Sequence, residues 1–302
     1  MAPQISFQGL LKNAVSFLSR LPSQIPSSPP TDQSDVVHAP YGPLGDLPSC
    51  PIDGPISCRN NTPATGDTCC FVHPSGRFLL AQFWDREAHV RGAEEDWTLH
   101  GLWPDHCDGS YDVYCGMTPH FSNISDILTQ YGQEDLLTLM HRYWVAAYGS
   151  SEHLWAHEYN KHASCINTLA SSCYGDGYRP GMEAVDYFTR AFHLFRNLDT
   201  YMALSWAGIV PTHEHRYELA GIQKALQKHS GGRVVLKCSG HERSVLHEAW
   251  YAFFVQGNLQ SGQFIPARDY GEHGDVGNCA DRVWYLPKKC PWPGGCDRGV
   301  EL

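Results

Sequence analysis

Trp97-Thr98-Leu99-His100-Gly101-Leu102-Trp103-Pro104-Asp105 reads as a strand. Alternation puts Thr98, His100 and Leu102 on one face and Trp97, Leu99 and Trp103 on the other. Gly101 lets another group approach the backbone closely, and Pro104 ends the strand. A histidine in so aromatic a strand is by default a satisfied core residue, so this stretch points to a sheet before it points to a function. Working outward, Phe78 to Trp84, Val234 to Cys238 and Ala249 to Gln256 have the same strand character. Helices are expected over Glu134 to Tyr148, Glu152 to Asn167, Met182 to Leu198 and Arg216 to His229, with Gly231-Gly232 breaking the last. Helices cluster in the middle and strands at both ends, which is an α+β order rather than regular β-α alternation.

A second stretch carries ionisable groups: His157-Glu158-Tyr159-Asn160-Lys161-His162-Ala163-Ser164-Cys165. On a helix His157, Lys161, Glu158 and His162 fall at about 0°, 40°, 100° and 140°, sharing one broad face. Cys165 lies on the same arc one turn further, where a disulfide would pin that face to another segment. A solvated charged face is the common alternative, but it does not explain the cysteine or the bordering Trp155.

Bulk properties narrow the setting. The 302 residues suffice for one large domain or two small ones. No apolar run nears the ~20 residues of a membrane span. The twelve cysteines are irregularly spaced, with no paired C-x2-C spacing, which favours six disulfides and an oxidising compartment over a zinc ribbon. Sequons at Asn60 and Asn123 agree with secretion. The net charge of −10 excludes a broad basic surface for long nucleic acids, so any phosphate must be held locally. Protonating all 17 histidines, set against 22 lysines and arginines and 32 carboxylates, would turn the charge to +7, a hint of acid-side activity. Residues 1–45 read as a leader or flexible linker. Phe7, Leu10, Leu11, Ala14, Val15, Leu18 and Leu21 recur at helical spacing there, before a Ser/Pro-rich run from Ser23 to Pro30. A domain over 46–286 and a short tail over 287–302 follow.

Two histidines, a lysine and a carboxylate suit one reaction well. An RNA phosphodiester has its own nucleophile in the 2′-hydroxyl. One imidazole can remove that proton and another can protonate the departing 5′-oxygen. A cation can stabilise the charge growing on phosphorus oxygens, and no cofactor or metal is required. The 2′-hydroxyl also excludes DNA.

The two nonamers, in this order and about 55 residues apart, resemble the active-site segments of the ribonuclease T2 family. The resemblance runs over residues 48–286. It departs at Ala163-Ser164, where many members have Gly-Thr, and at Gln82-Phe83-Trp84-Asp85, where many have Gln-x-Trp-Pro. It implies a central antiparallel β-sheet with packed helices. It implies an endoribonuclease of single-stranded RNA that works through a 2′,3′-cyclic phosphate and then hydrolyses it to a 3′-phosphate. His100 would be the general acid of the first step and His162 the base, an assignment that could be exchanged. Glu158 would support the pair, Lys161 would stabilise the transition state and His157 would hold the phosphate. Trp103, Asp105 and Tyr111 would bind the base, although Tyr111 could equally be an ordinary surface tyrosine. The resemblance also implies bridges Cys50–Cys69, Cys58–Cys107, Cys70–Cys173, Cys115–Cys165 and Cys238–Cys279, leaving Cys290–Cys296 to the tail.

Two other readings compete. A zincin helix needs its second histidine at i+4, where Lys161 stands. A non-catalytic binding module on the same scaffold would be signalled by loss of His100 or His162, and both are present. The expectation is therefore a monomeric, RNA-cleaving protein with no membrane partner. It would be secreted or held in an acidic compartment such as a vacuole.

Overall fold

The computed structural model describes residues 50–289, apart from 52, 60–67, 87–93 and 270. The 1–45 leader, the sequon at Asn60 and the Cys290–Cys296 pair lie outside them. The strands are β1 (Arg77–Phe83), β2 (Thr98–Asp105), β3 (Tyr217–Glu218), β4 (Val234–Ser239), β5 (Val245–Gln256), β6 (Gln263–Pro266) and β7 (Arg282–Val283). The helices are α1 (Ile124–Gln130), α2 (Glu134–Tyr143), α3 (Ser151–Lys161), α4 (Met182–Arg196), α5 (Thr200–Ser205) and α6 (Leu219–Ser230). The main sheet runs β2-β1-β5-β4, with β6 also on β5, and every pairing is antiparallel. This is the α+β architecture expected from the element order.

The sheet separates two apolar layers. Phe78 and Leu80 of β1, Leu99 and Leu102 of β2, and Ala249, Tyr251 and Phe253 of β5 face back onto the helices. There they meet Tyr187 and Phe188 of α4, Trp144 after α2, and Trp155 and Tyr159 of α3, all fully buried. Each such side chain contributes about 1.5–3 kcal/mol by leaving water. The front face carries a smaller cluster of Leu79, Ala252, Phe254 and Ala267, against which Trp103 and Trp250 pack.

The β1–β2 ladder contains the fold's main departure from simple alternation. Ala81 pairs with Gly101 and Gln82 with Leu99, so His100 is an extra residue, a β-bulge. The bulge resets the parity. Leu99 and Leu102 both enter the back core, while His100 and Trp103 meet on the front, ring centroids 4.8 Å apart. The expectation that His100 and Trp103 point to opposite faces is overturned for that reason. Pro104 does not end the strand either. β2 is an edge strand, and its outward Leu102 carbonyl accepts from the Tyr187 hydroxyl of α4 at 3.0 Å. Residue 104 shares that outward orientation, so a missing N–H costs no ladder bond.

Helix ends also moved. α2 stops at Tyr143 and α4 at Arg196. α6 starts at Leu219 because Tyr217–Glu218 pairs with β7. Its C-cap is Gly231 with φ 71°, a left-handed turn that favours glycine. α3 ends at Lys161 and continues as 3-10 turns. The described start of the tail stays on the body, since the Lys289 N–H donates to the Arg86 carbonyl at 2.7 Å.

Five disulfides join the described residues. Cys58–Cys107, Cys115–Cys165 and Cys238–Cys279 match expectation. The other two exchange partners: Cys50 bonds Cys70, and Cys69 bonds Cys173. Cys69 and Cys70 are adjacent on the 3-10 turn Thr68–Cys70, where neighbouring side chains diverge by about 120°. The orientation of that turn therefore decides which sulfur reaches which partner. Among the described residues no helix is long and apolar enough to cross a membrane.

Candidate active site

The site forms where the bulged strand meets the end of α3. Ser150 caps that helix, its hydroxyl accepting from the His153 N–H. Trp155 and Tyr159 bury its inner face. The Trp155 indole N–H donates to the Trp144 carbonyl at 2.7 Å, and the Trp144 indole N–H donates to the His100 carbonyl at 2.8 Å. This relay ties the helix to the bulge and satisfies the carbonyl it exposes. At its C-terminal end the helix is tied again. Asn160 pairs with both backbone groups of Phe121, the Tyr114 N–H donates to Lys161 O, and Cys165 is bonded to Cys115.

Glu158 lies at the centre, 1% exposed. Its Oε2 accepts the Trp103 indole N–H at 2.7 Å. Nε2 of His100 stands 3.7 Å from Oε1, and Nε2 of His162 stands 4.0 Å from Oε2. One buried carboxylate thus faces two imidazoles. The Trp103 ring lies between them, edge-on to His100 and stacked on His162 at 5.4 Å. Gly101 makes room for this: a Cβ there would fall 2.0 Å from Oε2 of Glu158. The His157 ring is 6.5 Å from that of His162. Lys161, at the last turn of α3, acts by charge on Glu158, His157 and His162.

The two imidazoles sit in different fields. Burial first, then the positive charges of Lys161, His157 and His100, pushes His162 down to about 3. His157 is lowered in the same way, by burial and then Lys161. Burial raises Glu158, only partly offset by His100, the Trp103 N–H and Lys161. His162 is therefore a neutral imidazole with a free lone pair over most of the acidic range, while His100 has a carboxylate oxygen 3.7 Å from each ring nitrogen.

The three residues expected to read the base are not gathered equally. Trp103 is inside the cluster. Asp105 lies two residues further along β2, 5% exposed and paired in register with Arg77. Tyr111 stands 63% exposed on the loop after β2 and takes no part in the ring stack. Burial, and then the charge of Asp275, lifts Asp105 to about 8 against the opposing pull of Arg77. A carboxyl raised on folding costs stability as pH climbs. The folded state holds the proton and the unfolded state releases it near its model value of 3.8. We therefore expect Asp105→Asn to leave stability below pH 4 nearly unchanged and to raise it by about 2–4 kcal/mol near pH 8. Urea unfolding at both pH values checks this, and an equal effect at both would contradict it.

Sequence reasoning missed three contributors. Phe83 of β1 stacks on His100 at 4.0 Å, and Trp250 of β5 meets Trp103 edge-on at 5.0 Å. Glu248 of β5 places Oε2 3.7 Å from Nδ1 of His100. The available signal was parity on β5, which places Glu248 on the front face with Trp250, Ala252 and Phe254.

Comparison with known proteins supplies the remaining context. The model of the Ribonuclease T2 family matches residues 75–275. Ribonuclease Trv of Hypocrea rufa is 45% identical over 241 residues, covering 80% of this chain and 99% of that one. Ribonuclease T2 of Aspergillus oryzae is 42% identical over 250 residues, covering 82% of this chain and 87% of that one. Among solved structures, that of Actibind, a T2 ribonuclease, superposes with a TM-score of 0.72 at 37% identity, covering 80% of this chain and 99% of that one.

Proposed function

The chain belongs to the ribonuclease T2 family, and from that premise we propose that it cleaves single-stranded RNA by transphosphorylation at the Glu158-centred cluster. In the first step His162 takes the proton of the 2′-hydroxyl, the O2′ attacks phosphorus, and the bond to O5′ breaks. His100 gives its proton to the departing O5′. The products are a 2′,3′-cyclic phosphate and a free 5′-hydroxyl. In the second step His100, now neutral, takes a proton from water, the hydroxide adds to phosphorus, the P–O2′ bond breaks, and His162 returns its proton to the departing O2′. A 3′-phosphate leaves and both histidines are restored. Lys161 balances the charge that builds on the phosphorus oxygens, and a ring N–H of His157 donates to them. Trp103 shapes the pocket and Tyr111 offers a stacking surface. A protonated Asp105 presents one donor and one acceptor, the complement of adenine's amino group and adjacent ring nitrogen.

The observation that carries this reading is the pair of Nε2 atoms set against the two oxygens of one buried carboxylate. Burial and the neighbouring positive charges hold the His162 imidazole neutral far into acid. That neutrality supports reading His162 as the base. Above about 3 the lone pair of His162 is free, and below it protonation removes the base. The acid-side limb of kcat/KM should therefore fall near pH 3, well below an ordinary imidazole limb.

The test is digestion of a defined RNA in excess EDTA between pH 3 and 9, with product ends read for cyclic phosphate. Cleavage should persist in EDTA, hold down to about pH 4, and leave a cyclic phosphate that later opens to a 3′-phosphate. A 5′-phosphate product, or a rate still rising above pH 8, would sink the proposal. The disulfides fit an oxidising compartment, and we place the protein in a secreted or vacuolar environment.

A further inference from the structure

We propose that Glu248 is a positioning residue for His100, a second carboxylate that selects the ring orientation and tautomer in which Nε2 faces the scissile phosphate. The inference rests on the reading of His100 as general acid. Phe83 stacks on the ring at 21° between planes, and Trp103 closes one edge. Those contacts fix the plane of the imidazole. They do not choose between the two flips about Cβ–Cγ, which exchange Nδ1 with a carbon. The choice needs a polar partner at Nδ1.

That atom is buried and has no hydrogen-bond partner. Oε2 of Glu248 is 3.7 Å away, so a shift of about 1 Å would close the bond, as catalytic contacts often do on binding substrate. Glu248 is itself fixed and ionised. The Trp250 indole N–H donates to its Oε2, and His247 Nε2 stands 3.7 Å from its Oε1. Burial would raise its carboxyl, but His100, Trp250 and His247 outweigh that and hold it below the usual range.

With Nδ1–H directed at Glu248, the proton that moves is always the one on Nε2. It passes to O5′ in the first step and is regained from water in the second. Glu158 and Glu248 divide the work: the first shares its oxygens between both histidines, and the second holds one histidine from behind. The same arrangement of imidazole and rear carboxylate fixes tautomers wherever a histidine must present one particular nitrogen.

The test pairs Glu248→Gln and Glu248→Asp with His100→Ala and uses two substrates. One is a dinucleoside monophosphate, whose alkoxide leaving group needs an acid. The other is a nucleoside 3′-(p-nitrophenyl phosphate), whose leaving group does not. Glu248→Gln should lower kcat on the dinucleotide by about tenfold to a hundredfold, with KM changed less than about threefold. On the nitrophenyl ester the loss should stay under about threefold, and Glu248→Asp should recover part of the dinucleotide rate. In the His100→Ala background, Glu248→Gln should cost nothing further. Equal losses on both substrates, additive losses with His100→Ala, or no loss at all would overturn the role of Glu248. Full dinucleotide activity in His100→Ala alone would overturn the reading of His100 and this inference with it, and that single variant tells the two failures apart.

Discussion

His162→Phe and His100→Phe should each lower kcat for RNA cleavage by about a thousandfold, and the double variant should be scarcely worse than either single one. In the proposed mechanism each histidine transfers a proton in both half-reactions, and a positioned acid or base is worth about 10²–10⁴ in rate. Groups that act as a unit do not lose their effects additively. Phenylalanine is the informative replacement because it keeps the ring contacts. At position 162 it preserves the stack on Trp103, and at position 100 the contacts with Phe83 and Trp103. Thermal unfolding near wild type with activity lost then locates the defect in proton transfer. A preformed 2′,3′-cyclic phosphate gives a separate reading of the second step, which both variants should also fail. Cleavage by His162→Phe within tenfold of wild type would remove His162 from the mechanism.

The chemistry-bearing residues were legible because they are local in sequence. The stretch 157–165 places Glu158, Lys161 and His162 within one turn of a helix, and no tertiary fact is needed to see them share a surface. The position of His100 relative to Trp103 was not legible. It depends on one extra residue in the ladder between β1 and β2, and a bulge shifts parity without leaving a mark in the alternation of residue types. Cys69 and Cys70 failed for a related reason, since two adjacent thiols offer the same spacing to either partner and the rotation of a turn decides. Helix ends moved where the neighbouring fold competed, as when Tyr217–Glu218 joined β7 and shortened α6. Glu248 was hidden by distance. Some 148 residues separate it from His100 in sequence, and the sheet brings them together only because both pack around Phe83, which pairs with Glu248 on β5. Fold class followed from element order, while the finer geometry of the site followed from register.

Gly101→Ala should be the most damaging one-carbon change in the site, with kcat lowered about a hundredfold or more. Its Cβ would stand 2.0 Å from Oε2 of Glu158, 2.6 Å from the Trp103 indole nitrogen and 2.8 Å from Cδ of Glu158. Something must yield, and the choices are poor. The end of α3 is tied by Asn160 to Phe121 and by Cys165 to Cys115, so the helix cannot simply retreat. Rotating the Glu158 side chain would strand the Trp103 N–H and withdraw the oxygens that face His100 and His162. Overpacking of this kind costs about 1–3 kcal/mol of stability, far less than would unfold the domain, so the variant should fold and still be impaired. A second change separates clash from any property of the glycine backbone. In the Glu158→Ala background the added methyl has space, so Gly101→Ala should then cost little further stability. Wild-type kcat in Gly101→Ala, or an equal stability loss with and without the Glu158 carboxylate, would show that the close approach of strand and carboxylate is not what organises the two histidines.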